Sequence, residues 1–144
     1  MLAITTKSPY AVRALAELAR RGGDSPVPWP IRFAAPLALM AVIFVLSNQP
    51  DLNSGLGVID LIGRKLIHAG EYALLCFLWW WALSPGMARR PALIAAVAVS
   101  IAYAASDEYH QTFIDGRHGS PLDVAIDSAG VLIAALALAR REER

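Results

Sequence analysis

Four long stretches of the chain lack the regular polar positions that mark the surface helices of a soluble protein. The stretches are residues 33–49, 72–88, 91–106 and 122–139. Three of them contain no charged residue, and the fourth carries only Asp123 and Asp127. A helix of a soluble bundle has a polar stripe every three or four residues, and the segments ALIAAVAVSIAYAA and GVLIAALALA have none. Because a membrane span needs about 20 mostly apolar residues, the pattern predicts an all-α bundle of four transmembrane helices.

The composition supports this interpretation and argues against several other classes of protein. Of 144 residues, 56% are hydrophobic and only 17% are charged, whereas soluble domains have about 25% charged residues. The formal net charge of +1 provides no global field for a polyanion, so we expect no nucleic-acid partner. The single cysteine, Cys76, rules out an internal disulfide framework and a multi-cysteine zinc site.

The basic residues predict how the helices are oriented, because cytoplasmic loops of membrane proteins are enriched in Lys and Arg. Ten of the 13 lie before the first span, in the loop at residues 84–91, or after the last span. The tryptophans at 29 and 79–81 fall at the same ends of the spans, where aromatic rings anchor at the headgroups. We therefore expect both termini in the cytoplasm and an uncleaved first span, because no signal-peptide cleavage pattern follows the first apolar stretch.

Residues 1–28 are predicted to form a separate cytoplasmic tail, and residues 29–144 the transmembrane domain. Ser8 and Pro9 are typical of a helix start, YAVRALAELARR predicts a short amphipathic helix, and Gly22–Gly23 end it. This segment resembles the first helix of winged-helix repressors, but no recognition helix follows it. The alternatives are a basic helix resting on anionic headgroups or a fusion remnant.

Polar side chains in or beside the spans gather at the predicted outer ends. His68, Glu71 and Tyr72 have the i, i+3, i+4 spacing that places them on one helical face. Asp123 and Asp127 are one turn apart, and an aspartate at membrane depth costs about 2.5–3.5 kcal/mol on insertion scales. We expect one outward-facing polar pocket. The alternative is that these residues only mark the water interface.

The candidate site residues divide into two groups by their chemistry. The catalytic candidates are Glu108, His110 and Glu71. The ligand-binding candidates are Ser47, Gln49, Lys65, His68, Tyr72, Ser106, Gln111, Arg117, Asp123 and Asp127. Glu108 or His110 would act as a general base, and Arg117 would bind an anionic group or pair with Asp123 or Glu108. The carboxylates and histidines also suit a divalent metal, but no H-E-x-x-H motif occurs, so we predict neither a metal nor a cofactor.

Three motifs carry a resemblance to a known family: SNQP, GRKLIHAGEYALL and SDEYHQTFIDGRHGSPLDVAIDSAG. Across residues 33–138 the chain resembles the VanZ-like membrane proteins. The resemblance implies four transmembrane helices, a bacterial inner-membrane location and a link to tolerance of lipoglycopeptide antibiotics such as teicoplanin. The chain departs from the family pattern at Ser47–Asn48–Gln49, where many relatives have S-S-Q, and at Arg64–Lys65, where an aspartate–lysine pair is frequent.

Together these observations predict a protein whose polar pocket handles an envelope-associated amphiphile or an anionic group. Its partners would be the lipid bilayer and a lipid-linked or glycopeptide-like ligand at the outer face. A pure binding module would take a basic or polyhydroxylated ligand in the acidic pocket. The alternatives are a membrane-embedded hydrolase or transferase, and a small transporter or accessory subunit. The sequence leaves open whether the protein is an enzyme.

Overall fold

The architecture is entirely helical in the part of the chain that the structure describes. A computed structural model describes residues 28–49, 58–114, 117 and 119–141. The four helices are α1 (Trp29–Ser47), α2 (Val58–Leu83), α3 (Arg89–Gln111) and α4 (Pro121–Arg141). The described residues contain no strand, and the all-α prediction is confirmed. The predicted tail helix and its likeness to winged-helix repressors lie outside the described residues.

Each helix is long and apolar enough to cross a membrane. The candidate spans are Pro30–Ser47, Ile62–Leu83, Arg89–Gln111 and Pro121–Arg141, with lengths of 18, 22, 23 and 21 residues. At 1.5 Å per residue, these lengths correspond to about 27–35 Å, which matches the roughly 30 Å of a bilayer core. Large apolar side chains point outward, including Leu66, Ile94 and Ile133 with 68%, 69% and 68% exposure. The chain is therefore a multi-pass membrane protein.

Residue contacts divide the chain into two units, residues 1–31 and residues 32–144. The helix packing that follows lies within the second unit. Within it, α2 packs most extensively against α4, and α3 packs against both. A Cβ atom added at Gly130 of α4 would overlap the carbonyl of Ala69 on α2. Small residues allow such close backbone approach between transmembrane helices. Gly130 therefore fixes the separation of α2 and α4.

Helix α1 contacts the other helices through a small number of side chains. The Tyr103 hydroxyl on α3 donates a hydrogen bond of 2.6 Å to the Met40 carbonyl of α1. Ile43 of α1 is buried in the same apolar cluster as Tyr72, Leu75 and Val131. These contacts place α1 beside α2 and α3.

The two ends of this unit differ in chemistry. At the polar end, where α1 and α3 end and α2 and α4 begin, lie the side chains of Ser47, Lys65, Glu71, Tyr72, Asp107, Glu108, Gln111, Asp123 and Asp127. At the other end, the tryptophan end, lie Arg32, Trp79, Trp80, Trp81 and Ser84. The Arg32 guanidinium donates a hydrogen bond of 3.1 Å to the Trp81 carbonyl, and its carbon atom lies 4.7 Å from the centroid of the Trp81 ring.

Candidate functional site

Asp107 is the most connected side chain of the polar end. Its carboxylate is 3% exposed, and its Oδ2 atom accepts hydrogen bonds from Ser47 Oγ at 2.7 Å and Gln111 Nε2 at 3.1 Å. Ser47 is the last residue of α1, so this cluster joins the ends of α1 and α3. The second oxygen, Oδ1, has no hydrogen-bond partner among the described residues.

Asp107 is the residue that the sequence-based candidate set omitted. Its signal was present, because Asp107 and Gln111 are one helical turn apart and Gln111 was a candidate. What the sequence could not supply was the third member, Ser47, which lies 60 residues away along the chain. Only the packing of α1 against α3 brings the hydroxyl to the carboxylate.

Glu108 joins the end of α3 to the beginning of α4. Its Oε2 atom accepts a hydrogen bond of 2.9 Å from the backbone N–H of Ser120, and Ser120 Oγ accepts one of 3.2 Å from the N–H of Leu122. Ser120 is thus the N-cap of α4, with Pro121 at the first helical position. In a capping box the N3 side chain bonds the N-cap N–H, but here Glu108 of α3 takes that place. Asp123, the N3 residue, is left for another partner.

That partner is Lys65, whose ammonium forms an ion pair with Asp123 between α2 and α4. The two side chains are 30% and 32% exposed. The sequence analysis proposed Arg117 as a partner of Asp123 or Glu108. In the described part of the chain, Asp123 pairs with Lys65, Glu108 bonds Ser120, and Arg117 forms no ion pair. The physical reason is placement: Lys65 extends from the beginning of α2 beside α4, whereas Arg117 lies in the connection after α3.

The centre of the polar end holds Asp127 and Tyr72, which are 1% and 0% exposed. Asp127 lies within electrostatic range of Glu108, Asp107 and two further carboxyl groups, those of Asp123 and Glu71. The Tyr72 hydroxyl interacts with Asp107, Asp127 and Glu108. Neither Tyr72 Oη nor Asp127 Oδ2 has a hydrogen-bond partner among the described residues. Helices α2, α3 and α4 thus bring four carboxyl groups within range of Asp127, and three of the five lie within range of the unpartnered Tyr72 hydroxyl.

A sequence model of the VanZ/LLP1 family matches residues 30–140. This match covers most of the chain. The chain belongs to the VanZ/LLP1 family. Comparison with curated proteins gives no match, and comparison with solved structures gives none either.

The structure brings most of the polar candidates of this VanZ/LLP1 chain to one end, but it places three of them differently. Ser106 is exposed, because the buried face of α3 runs through Ser100, Ala104, Asp107, Glu108 and Gln111. Gln49 is also exposed, and its Nε2 atom donates a hydrogen bond of 3.3 Å to the Val45 carbonyl in the last turn of α1. His110 stacks on Phe44 with ring centroids 4.9 Å apart, and its Nε2 atom has no hydrogen-bond partner among the described residues.

The histidine and carboxyl groups of this family member are spread over the polar end. His68 is half-buried and lies within electrostatic range of Glu71 and Glu108. Among the side chains that the structure describes, no three His, Cys, Asp or Glu groups converge as metal ligands do.

Proposed function

We propose that the polar end faces the cell exterior and binds the headgroup of an envelope-associated amphiphile. The outward orientation rests on the basic residues, ten of 13 of which lie in segments at the opposite side of the spans. The bacterial inner membrane is the location that the VanZ-like resemblance implies. In this orientation the polar end lies at the outer headgroup level.

The observation that carries the proposal is the set of buried polar atoms without partners at this end. Asp107 Oδ1, Asp127 Oδ2 and the Tyr72 hydroxyl belong to buried side chains and are unpartnered among the described residues. A buried polar atom without a hydrogen bond destabilises the folded protein by about 1–3 kcal/mol. Ionisable side chains buried within a transmembrane bundle are functional candidates by default.

The surroundings of the polar end suit an amphiphile. Phe113 follows the polar end of α3, and Leu122 precedes Asp123 in the first turn of α4. Both side chains are exposed. A ligand whose headgroup enters the polar end can therefore keep its apolar part against these side chains and the lipid. A lipoglycopeptide such as teicoplanin and a lipid-linked wall precursor are the ligands of this type that we propose to test first.

A hydrolytic or transferase reaction would use Glu108, His110 or Glu71, the catalytic candidates from the sequence. In the structure Glu108 accepts the Ser120 N–H and His110 stacks on Phe44. Both side chains therefore have contacts that hold the fold together. The unpartnered atoms around Asp127 and Tyr72 favour binding as the primary activity.

Binding is tested with the full chain in phosphatidylcholine nanodiscs, using fluorescently labelled teicoplanin and a labelled lipid-linked wall precursor as separate probes. Asp107→Asn removes the charge that Ser47 and Gln111 contact, and we expect at least tenfold weaker binding of the probe that the wild type retains. Ser84→Ala, at the tryptophan end, removes a serine hydrogen bond to the Trp80 carbonyl and serves as the matched control. Saturable binding that is equal in both variants and wild type would contradict a site at the polar end.

Orientation is tested by labelling single cysteines in intact cells in a Cys76→Ala background. Asn48→Cys lies just beyond α1 at the polar end, and Met87→Cys lies in the turn before α3; both positions are exposed. We expect a membrane-impermeant maleimide to label position 48 and to label position 87 only after permeabilisation. Labelling of position 87 in intact cells would place the polar end in the cytoplasm.

A further inference from the structure

The polar end has more carboxyl groups than cationic partners. Its carboxyl groups are those of Glu71, Asp107, Glu108, Asp123 and Asp127. Lys65 pairs with Asp123, and His68 lies within electrostatic range of Glu71 and Glu108. Asp107 and Asp127 have no ion pair with a described residue. Asp107 accepts hydrogen bonds on one oxygen only, from the neutral Ser47 hydroxyl and Gln111 amide. Glu108 likewise accepts on one oxygen only, from the neutral Ser120 N–H. The negative charge of this end is thus incompletely balanced within the described structure.

A second, independent observation comes from an aromatic side chain. Tyr72 is fully buried, yet its hydroxyl has no hydrogen-bond partner among the described residues. Tyr72 lies within electrostatic range of the carboxyl groups of Asp107, Asp127 and Glu108. A tyrosine hydroxyl accepts one hydrogen bond while it donates another. The Tyr72 hydroxyl can therefore accept a hydrogen bond from a bound donor.

Among the described residues of the polar end, the buried unpartnered atoms are three oxygens and His110 Nε2, and the three oxygens carry the inference. Asp107 Oδ1 and Asp127 Oδ2 are acceptors, and the Tyr72 hydroxyl supplies a third oxygen. A primary ammonium has three N–H donors and no acceptor, and hydrogen bonds between charged partners are the strong ones. A phosphate or carboxylate would bring further acceptors and negative charge to these oxygens. A small divalent ion needs ligands that converge on one point, and the described His, Cys, Asp and Glu side chains form no such group.

We infer that the polar end recognises a primary ammonium group on the headgroup of the bound amphiphile, held between Asp107, Asp127 and Tyr72. The inference rests on the proposed function, which supplies the amphiphile, and it replaces the anionic group as the expected ligand chemistry. The ammonium would supply the donors that Asp107 and Asp127 lack. Its charge would also offset the repulsion among the carboxylates.

The test compares amphiphiles that share a chain and differ only in the headgroup. Full-length protein in phosphatidylcholine nanodiscs receives equal mole fractions of octadecylamine, octadecanol and octadecyl phosphate, and native mass spectrometry measures how much of each stays bound. We expect octadecylamine occupancy to exceed that of octadecyl phosphate at least tenfold. Octadecyltrimethylammonium, which has the charge but no N–H donor, should bind at least fivefold less than octadecylamine.

Two variants and one matched control locate the effect. Asp127→Asn and Tyr72→Phe should each reduce the preference for octadecylamine at least fivefold, and thermal unfolding confirms that each variant is folded. Tyr109→Phe removes a hydroxyl from an exposed tyrosine that packs on Phe113 and should keep the wild-type preference. Loss of the preference in Tyr109→Phe alone would contradict the assignment.

The remaining outcomes separate this inference from the proposed function. A saturable preference for octadecanol or octadecyl phosphate that Asp107→Asn abolishes would overturn the ammonium inference and support the proposed function. Equal occupancy of all probes, unchanged in every variant, would contradict both. If soluble glucosamine displaces octadecylamine and binds with equal affinity, this result would support recognition of the ammonium group. It would contradict the proposal that the ligand is an amphiphile.

Discussion

The two ends of the membrane unit use polar side chains in opposite ways. At the tryptophan end, Arg32 donates to the Trp81 carbonyl and lies over the Trp81 ring, and Ser84 Oγ donates 2.5 Å to the Trp80 carbonyl. The last carbonyls of a helix have no intrahelical partner, so these contacts satisfy the end of α2. At the polar end, carboxyl groups from three helices instead lie within electrostatic range of one another.

This difference indicates which end is organised for stability. The indole N–H groups of Trp79 and Trp80 are also buried without a partner among the described residues, but they carry no charge. Ionisable groups such as Asp127 cost far more when buried, and they mark functional positions in membrane proteins. We therefore expect substitutions at the two ends to separate stability from binding.

The largest expected effect concerns the contact on which both ends depend. Gly130→Val would place side-chain atoms where the Ala69 carbonyl lies, and backbone atoms cannot move aside cheaply. We expect a loss of about 3 kcal/mol or more in the free energy of unfolding, measured by titration from mild detergent into sodium dodecyl sulfate. Gly70→Ala is the matched control, because a Cβ atom there meets nothing within 4 Å. Equal stability of the two variants would show that α2 and α4 do not approach closely at Gly130.

Arg32→Met should lower stability and leave binding intact. The substitution removes a charged hydrogen bond to the Trp81 carbonyl and a cation–π contact, so we expect a loss of about 2 kcal/mol. Arg89→Met, which removes an exposed arginine at the beginning of α3, controls for the loss of one positive charge. Weaker ligand binding by an Arg32→Met variant that is fully folded would contradict the assignment of stability to the tryptophan end and of binding to the polar end.

Ser47→Ala tests the link between α1 and the polar end. It removes the donor to Asp107 Oδ2 while Gln111 keeps its own bond to that atom, so we expect a stability loss of about 1 kcal/mol. The free energy of ligand binding should fall by more than about 1 kcal/mol, because Asp107 contacts the ligand in our proposal. Ser84→Ala should show a similar stability loss without the binding defect, as assayed on the same nanodisc preparations.

The smallest effect is expected for the Lys65–Asp123 pair. Both side chains are about one-third exposed, and partly exposed ion pairs contribute about 0–1 kcal/mol. The double variant Lys65→Met with Asp123→Leu should therefore unfold within about 1 kcal/mol of wild type. Arg117→Met should leave stability unchanged, since Asp123 is held by Lys65. A large loss of stability in Arg117→Met together with no loss in Lys65→Met would indicate that Arg117, and not Lys65, pairs with Asp123.

The sequence predicted the helices well because their signals are local. The absence of charge across residues 91–106 predicts a span within α3, and the apolar stretch at residues 122–139 predicts α4. Helix α2 begins at Val58, well before its uncharged stretch at residues 72–88, and Lys65, His68 and Glu71 lie in this earlier part. Turn-by-turn spacing can place such residues on one helical face, and the structure adds which neighbouring helix that face meets.

The candidate site was harder to predict because its contacts join distant parts of the chain. The sequence could not show that Asp107 meets Ser47 or that Lys65, rather than Arg117, meets Asp123. It also could not show that Ser106 is exposed while its neighbour Asp107 is buried, since adjacent residues of a helix point in directions about 100° apart. Which of them faces the bundle depends on how α3 is rotated against α1 and α2.

The stability of Asp127→Asn tests most directly whether the polar end is a binding site. Asparagine has the shape of aspartate and removes one of several like-charged groups in mutual range. We predict a free energy of unfolding equal to or up to about 2 kcal/mol above that of wild type, together with loss of octadecylamine binding. A fall in stability of more than about 1 kcal/mol with binding retained would show that Asp127 holds the fold together, and it would contradict our account of the polar end.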